Sequence, residues 1–271
     1  MQTRDLTCKV ASIGAWGSYF DSWETLQQLM QTKSVPAAKN KGPKPEVIPP
    51  NERRRAPLPV RLAVESSWQA SQSAGIAPDT LTCVFVSGLG DTDLTDYMCK
   101  VLASEHKELS PTKFHNSVHN APAGYWTIST KTMCAANSVA GFEESVSLTL
   151  LEAMIQCESE GVPLLVTFYD APVADRLKPL LTNQEPFAFS LIIYPLSADI
   201  EGIALRARVN NSQTATWPVL STENQYISGL YTDNPSAKIL CLAEIFNQKN
   251  KAHEGINLPL SKGTSITFYG S

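Results

Sequence analysis

Cys134, in TKTMCAANS, and the histidines of FHNSVHNAPAGYW, His115 and His119, are the residues best equipped for covalent chemistry. A thiol a few residues ahead of a helix can be held as a thiolate by the helix dipole. An imidazole within reach can take its proton, and the pair could then transfer an acyl group. The same residues can equally be loop histidines bonded to backbone and a thiol without a chemical role; their spacing does not separate the two readings. Asp91, Asp93 and Asp96, in GDTDLTD, could face a cation. The glycine turn and terminal glutamate of a calcium loop are missing, so helix capping is the expected role. SGLGDTD lacks the third glycine of a dinucleotide loop. No Cys/His spacing of a metal site occurs, and neither metal nor cofactor is expected.

Arg53, Arg54 and Arg55 follow four lysines within residues 33–50 and form the one basic cluster. The 271-residue chain as a whole is acidic, with a net charge of −4. General nucleic-acid binding, which shows as a basic domain or stripe, is not expected. No apolar run reaches the roughly 18 residues of a membrane span. The N-terminus, MQTRDLTCKVASIG, lacks the apolar core of a signal peptide. Six cysteines occur without paired spacing; Cys83, Cys157 and Cys241 lie in apolar segments and read as buried reduced thiols. A cytoplasmic location is the expectation.

The elements that must position these groups follow from periodicity. CKVASIGAWGS (8–18) reads as a buried strand, and SWETLQQLMQ as a helix capped by Ser22. Residues 33–55 read as a Pro/Lys/Arg-rich surface loop. A helix from Leu58 to about Ser73 closes at Gly75. TLTCVFVSGLG is a second buried strand, DTDLTDYMCKVLASE a helix, and a polar loop leads into 114–130, itself read as a loop. SVAGFEESVSLTLLEAMIQCESEG (138–161) reads as the longest helix, apolar on most of its circumference. PLLVTFYD is a third buried strand; FAFSLIIYPLS and GIALRARV read as neighbouring strands. A helix, PSAKILCLAEIFNQ, and a hairpin around Lys262-Gly263 end the chain. This order predicts one α/β domain over residues 1–271, with a mixed central sheet and an abbreviated C-terminal part at 232–271.

VASIGAWGS, NERRRAPLPVRLAVE, SPTKFHNSVHNAPAGYWTIST and PLLVTFYDAP together resemble the β-ketoacyl-synthase-like family of bacterial aryl-polyene and related polyketide clusters. The similarity is to the N-terminal half of the thiolase fold, and the role it implies is that of a chain-length factor. A condensing ketosynthase needs a Cys at the N-terminus of the buried helix and two histidines, or His and Asn, from its C-terminal half. Counted back from Asp170, the nucleophile position falls near Gly141 or Phe142, neither of which carries a thiol or hydroxyl. Downstream of His119 the only histidine is His253.

The resemblance therefore implies a truncated thiolase-like subunit without condensation chemistry of its own. It would pair with a catalytic ketosynthase and wall its acyl tunnel in polyene, polyketide or fatty-acid-type assembly. Phe142, Tyr125 and Trp126 are the tunnel candidates. Phe114, His115, Asn116, His119 and Asn120 are the partner-facing candidates. Arg53, Arg54 and Arg55 could receive an acidic acyl carrier protein. The other readings are a small stand-alone acyl-transfer enzyme using Cys134 with His115 or His119, and a homodimeric scaffold.

Overall fold

The computed structural model describes residues 5–211, 215–247 and 255–270. His253 lies outside the described residues, as do parts of the 210–218 loop. In chain order the elements are β1 (Leu6–Gly17), α1 (Trp23–Met30), α2 (Pro50–Arg53), α3 (Leu58–Ala74), β2 (Thr82–Val86), α4 (Thr92–Ala103), α5 (Pro111–His115) and α6 (Ala121–Thr130). They continue with β3 (Ala136–Val139), α7 (Ser145–Glu160), β4 (Leu164–Asp170), β5 (Phe187–Pro195), β6 (Ile203–Asn211), α8 (Gln225–Asp233), α9 (Ala243–Asn247), β7 (Ile256–Ser261) and β8 (Thr264–Gly270). 3-10 segments include Phe142–Glu144 and the eight-residue Pro235–Leu242.

The strands form one mixed sheet in the order β3-β2-β4-β5-β1-β6-β8-β7. β3, β2 and β4 are parallel to one another; the remaining pairs are antiparallel. Both faces of the central strands are covered, so β2 and β4 are buried throughout and read as continuous apolar runs. Side chains alternate between the two layers. Cys83 and Phe85 join Leu62, Trp126 and Leu165 on the α3 side. Val84 and Val86 join Val146, Leu150, Met154 and Phe168 on the α7 side.

α3 lies close on the sheet. Its Ser66 and Ser67 bond Ser190 and Thr167, so buried hydroxyls satisfy one another. A Cβ at Gly14 would lie 2.0 Å from the Ser66 carbonyl oxygen, so only glycine lets β1 and α3 approach this far. On the other face the β7–β8 hairpin reaches α7, where Ser147 donates to the Pro259 carbonyl.

Three sequence expectations change. β5 and β6 are not neighbours, because β1 lies between them and pairs with both; an apolar pattern reports burial and not which strand fills each edge. The 138–161 helix begins only at Ser145. Residues 136–139 form an edge strand, and the backbone turns at Gly141 and Phe142, the latter at φ +48°. With 16 residues α7 is one shorter than α3, and Leu148 and Ile155 stay exposed on it, so it is less enclosed than its composition suggests. Residues 111–130 are mostly helical, since Ser110 caps α5 and Pro111 occupies its first turn.

Ser22 caps α1 with a reciprocal bond from Thr25, and Gly75 closes α3 in the left-handed conformation. The Pro/Lys/Arg-rich segment is solvated for most of its length, but Pro43, Pro45 and Ile48 are buried.

Candidate functional site

The C-terminal ends of β2, β3 and β4 meet the N-terminus of α7, the place where parallel strands present ligand sites. Asp170, at the end of β4, organises it. Its carboxylate receives the hydroxyls of Ser87 (2.6 Å) and Ser236 (2.7 Å). The backbone N–H groups of Gly88, Leu89 and Ser236 donate to it as well. Burial pushes the Asp170 pKa up, and these five donors work against that shift. The carboxylate thereby ties β2, β4 and the Pro235–Leu242 turn into one rigid corner. Gly88 sits inside that corner: a Cβ there would lie 2.5 Å from Pro235 Cβ and 3.0 Å from the Phe142 carbonyl oxygen.

Phe142 occupies the turn leading into α7 with φ +48°, a left-handed conformation that costs an aromatic residue about 1 kcal/mol or more. The strain falls where the nucleophile was expected, and the residue carries no thiol, hydroxyl or amine. Ser145, the first residue of α7, is fully buried and its hydroxyl accepts the Gly141 N–H. Phe142 is 46% exposed. It lines a cavity of about 150 Å³ with Leu89, Glu143, Leu180, Pro235 and Lys238.

The other expected groups are dispersed. Cys134 lies at the opposite, N-terminal end of β3, its thiol 3.5 Å from the Asp79 carbonyl oxygen. His119 Nε2 lies 3.2 Å from the Val139 carbonyl oxygen, at the C-terminal end of β3. At about 3.3 Å per residue the two are roughly 16 Å apart along the strand, too far for a thiol–imidazole pair. His115 is exposed at the end of α5. Burial pushes the Cys83, Cys157 and Cys241 thiols up to about 12, which keeps them protonated and unreactive. Asp91 caps α4 by accepting the Leu94 N–H, and Asp96 engages Lys100 and Arg176. Asp93 lies in the first turn of α4.

The three aromatic tunnel candidates do not stand together. Trp126 is fully buried in the α3-side layer, with its indole N–H near the Cys83 thiol. Tyr125 is half-buried beside Asn116. Phe142 is on the other side of the sheet. Of the partner-facing candidates, Phe114, His115, His119 and Asn120 are exposed. Asn116 turns inward instead: it donates to the Arg55 carbonyl and lines two adjoining cavities, between α3, α4 and α5, of about 240 and 280 Å³. Arg53 is engaged with the Lys44 and Pro45 carbonyls, whereas Arg54 and Arg55 are exposed.

Sequence reasoning missed the apolar surface around β3. Phe114 is 59% exposed, Ile128 80% and Met133 96%. Val118, Leu148 and Ile155 are exposed nearby in the chain. β3 is itself a sheet edge, with Ala136 and Asn137 open to solvent. Singly these residues carry no periodic signal; the fold sets α6, which bears Ile128, against β3, puts Met133 just ahead of that strand, and brings Leu148 and Ile155 into one groove with Asn137.

The family profile of the β-ketoacyl synthase N-terminal domain matches residues 22–238. No curated protein matches the sequence. Among solved structures, the chain is similar to one from a complex of a ketosynthase (ApeO) with its chain length factor (ApeC) from Xenorhabdus doucetiae. The two are 17% identical, with a TM-score of 0.68, over 97% of this chain and 99% of that one. Similarity to the ishigamide ketosynthase/chain length factor is 12% identity and TM-score 0.69, over 97% and 99% of the two chains. A type II polyketide acyl carrier protein in complex with its ketosynthase contains a further similar chain. That chain is 11% identical, with a TM-score of 0.67, over 98% and 99%. The mixed sheet with helices packed on it is thus the thiolase-like fold of ketosynthase N-terminal domains.

Proposed function

The chain belongs to the β-ketoacyl synthase N-terminal domain family, and from that premise we propose that it is a chain-length-factor subunit. It pairs with a catalytic ketosynthase and shapes the acyl tunnel of the complex, without condensing acyl groups itself. The observation that carries this reading is Phe142. A bulky, inert ring sits in a strained turn ahead of α7, where the resemblance puts the nucleophile. The apolar residues around the β3 edge support it further, because an unpaired edge beside exposed Ile128 and Met133 suits pairing with a second sheet.

The mechanism is steric. The partner supplies the nucleophile and the groups that drive condensation, and this chain supplies bulk. Phe142, at a cavity mouth, is the side chain proposed to end the growing chain's path, with Tyr125 a second wall. Trp126 is a core residue and has no part in the proposal. Phe114, His115, His119 and Asn120 face the ketosynthase. Arg54 and Arg55, the exposed members of the basic cluster, attract an acidic carrier protein by long-range charge, with Arg53 fixing the segment that bears them. The products belong to the aryl-polyene, polyketide or fatty-acid-type class, made in the cytoplasm. No helix among the described residues is long and apolar enough to cross a membrane.

The test is reconstitution with the ketosynthase from the same genome that co-elutes with this chain. Mass spectrometry of carrier-bound products should show longer chains with Phe142→Ala, since an apolar cavity admits methylenes at roughly 0.8 kcal/mol each. Unchanged product length in an intact complex, or condensation by the purified single chain, would overturn the proposal.

A further inference from the structure

The cavity beside Phe142 also contains a lysine that the steric role does not use. Lys238 is only 8% exposed, yet it lines this space. Its amine donates to the Thr232 carbonyl oxygen at 3.2 Å and lies 4.9 Å from the centroid of the Tyr231 ring. An ammonium has three donors, and here it meets one acceptor and one ring face. A neutral amine is satisfied by the same surroundings: it gives one N–H to Thr232 and keeps its lone pair for the cavity. The guest is constrained as well. Glu143 and Asp233 disfavour an anion, while Leu89, Leu180, Leu181 and Pro235 supply an apolar wall beside the neutral polar Thr182, Asn183 and Thr232. A small neutral carbonyl compound fits these conditions.

We propose that Lys238 is an acyl acceptor, a nucleophilic lysine that takes a short acyl group from a thioester entering this cavity. The thioester class rests on the function proposed above, in which the chain works beside carrier-bound acyl groups. The amine nitrogen attacks the thioester carbonyl, the C–S bond breaks as the C–N bond forms, and the departing thiolate takes the proton released by nitrogen. The products are an amide on Lys238 and a free thiol. Burial lowers the Lys238 pKa and so favours the neutral amine; Glu143 from the 142–144 turn, Asp233 from α8 and Cys241 from its own turn oppose that shift without reversing it.

The test uses the full chain and the neutral probe S-acetyl-N-acetylcysteamine, with acetylated lysines quantified by peptide mass spectrometry. Lys33 and Lys262, both exposed, serve as references within the same molecule. Lys238 should be acetylated several-fold faster than either near pH 8, because burial favours its neutral amine. Its rate should level off below the pH range of an ordinary lysine amine. Leu180→Trp, at an 80% exposed position on the cavity lining, should slow Lys238 several-fold and leave the references unchanged. A Lys238 rate no faster than the references, or one indifferent to Leu180→Trp, would overturn the inference. An unreactive Lys238 alongside product lengthening by Phe142→Ala would end this inference and leave the proposed function standing. A reactive Lys238 without that lengthening would do the reverse.

Discussion

The α3 face of the sheet and the β3 edge are built from similar residues and reach opposite outcomes. Between α3, α6 and the sheet, Leu62, Phe85, Trp126 and Leu165 are fully or almost fully buried, and the serines of α3 bond hydroxyls on β4 and β5. Around β3, Ile128, Met133, Leu148 and Ile155 face solvent beside a strand with one unpaired edge. The first region is completed by its own chain. The second is apolar surface that the described residues of this chain leave uncovered, which is the pattern that the proposed pairing with a ketosynthase requires.

The largest effect is expected at the rigid corner where β2 and β4 end on the Pro235–Leu242 turn. Asp170→Ala leaves five donors facing a void and should destabilise the fold by about 3–5 kcal/mol. Asp170→Asn should cost less but remain destabilising, because its amide N–H₂ meets donors. Urea unfolding followed by circular dichroism reads both. A change below about 1 kcal/mol for the alanine variant would mean the corner does not hold the fold.

Charge placed in the two apolar regions should separate them. Ile128→Asp and Met133→Asp should leave the melting temperature of the isolated chain within a few degrees. They should weaken co-elution with the ketosynthase by roughly a hundredfold, as expected for buried interface positions. Leu62→Asp, on the closed face, should instead unfold the chain. If the exposed-site variants bind normally, the β3 edge is not the interface. An intact complex should bury roughly 2,000 Å² or more in total.

A smaller effect is expected at Phe142. Phe142→Gly removes both the ring and the left-handed strain and should stabilise the isolated chain by up to about 1 kcal/mol, read by thermal unfolding. Loss of stability would show that the ring is core packing and not a wall. Smallest of all, Cys134→Ser should change stability by less than about 0.5 kcal/mol. Product formation by the complex should stay the same, and loss of turnover would restore the thiol-based reading.

Much of this protein was legible in its residues. The buried strands at 82–86 and 164–170, the cap at Ser22, the stop at Gly75 and the hairpin at Gly263 follow from local propensity and periodicity, which are properties of short segments. The lack of a thiol at 141–142 was also visible, and with the resemblance it already argued against condensation. The rest depended on contacts between distant segments. Burial of β1 did not reveal that it parts β5 from β6, since strand order leaves no trace in alternation. Nor could spacing show that Cys134 and His119 sit at opposite ends of one strand, or that Trp126 and Phe142 lie on opposite faces of the sheet. The start of α7 was hidden because Val139, Phe142 and Val146 keep a helical period through a turn that the backbone does not follow. Lys238 looked like an ordinary helix lysine until the 235–242 turn folded under Asp170 and buried it. Sequence determines which residues seek cover; only the tertiary structure decides which of them find it within the same chain, because cover comes from elements far apart in sequence.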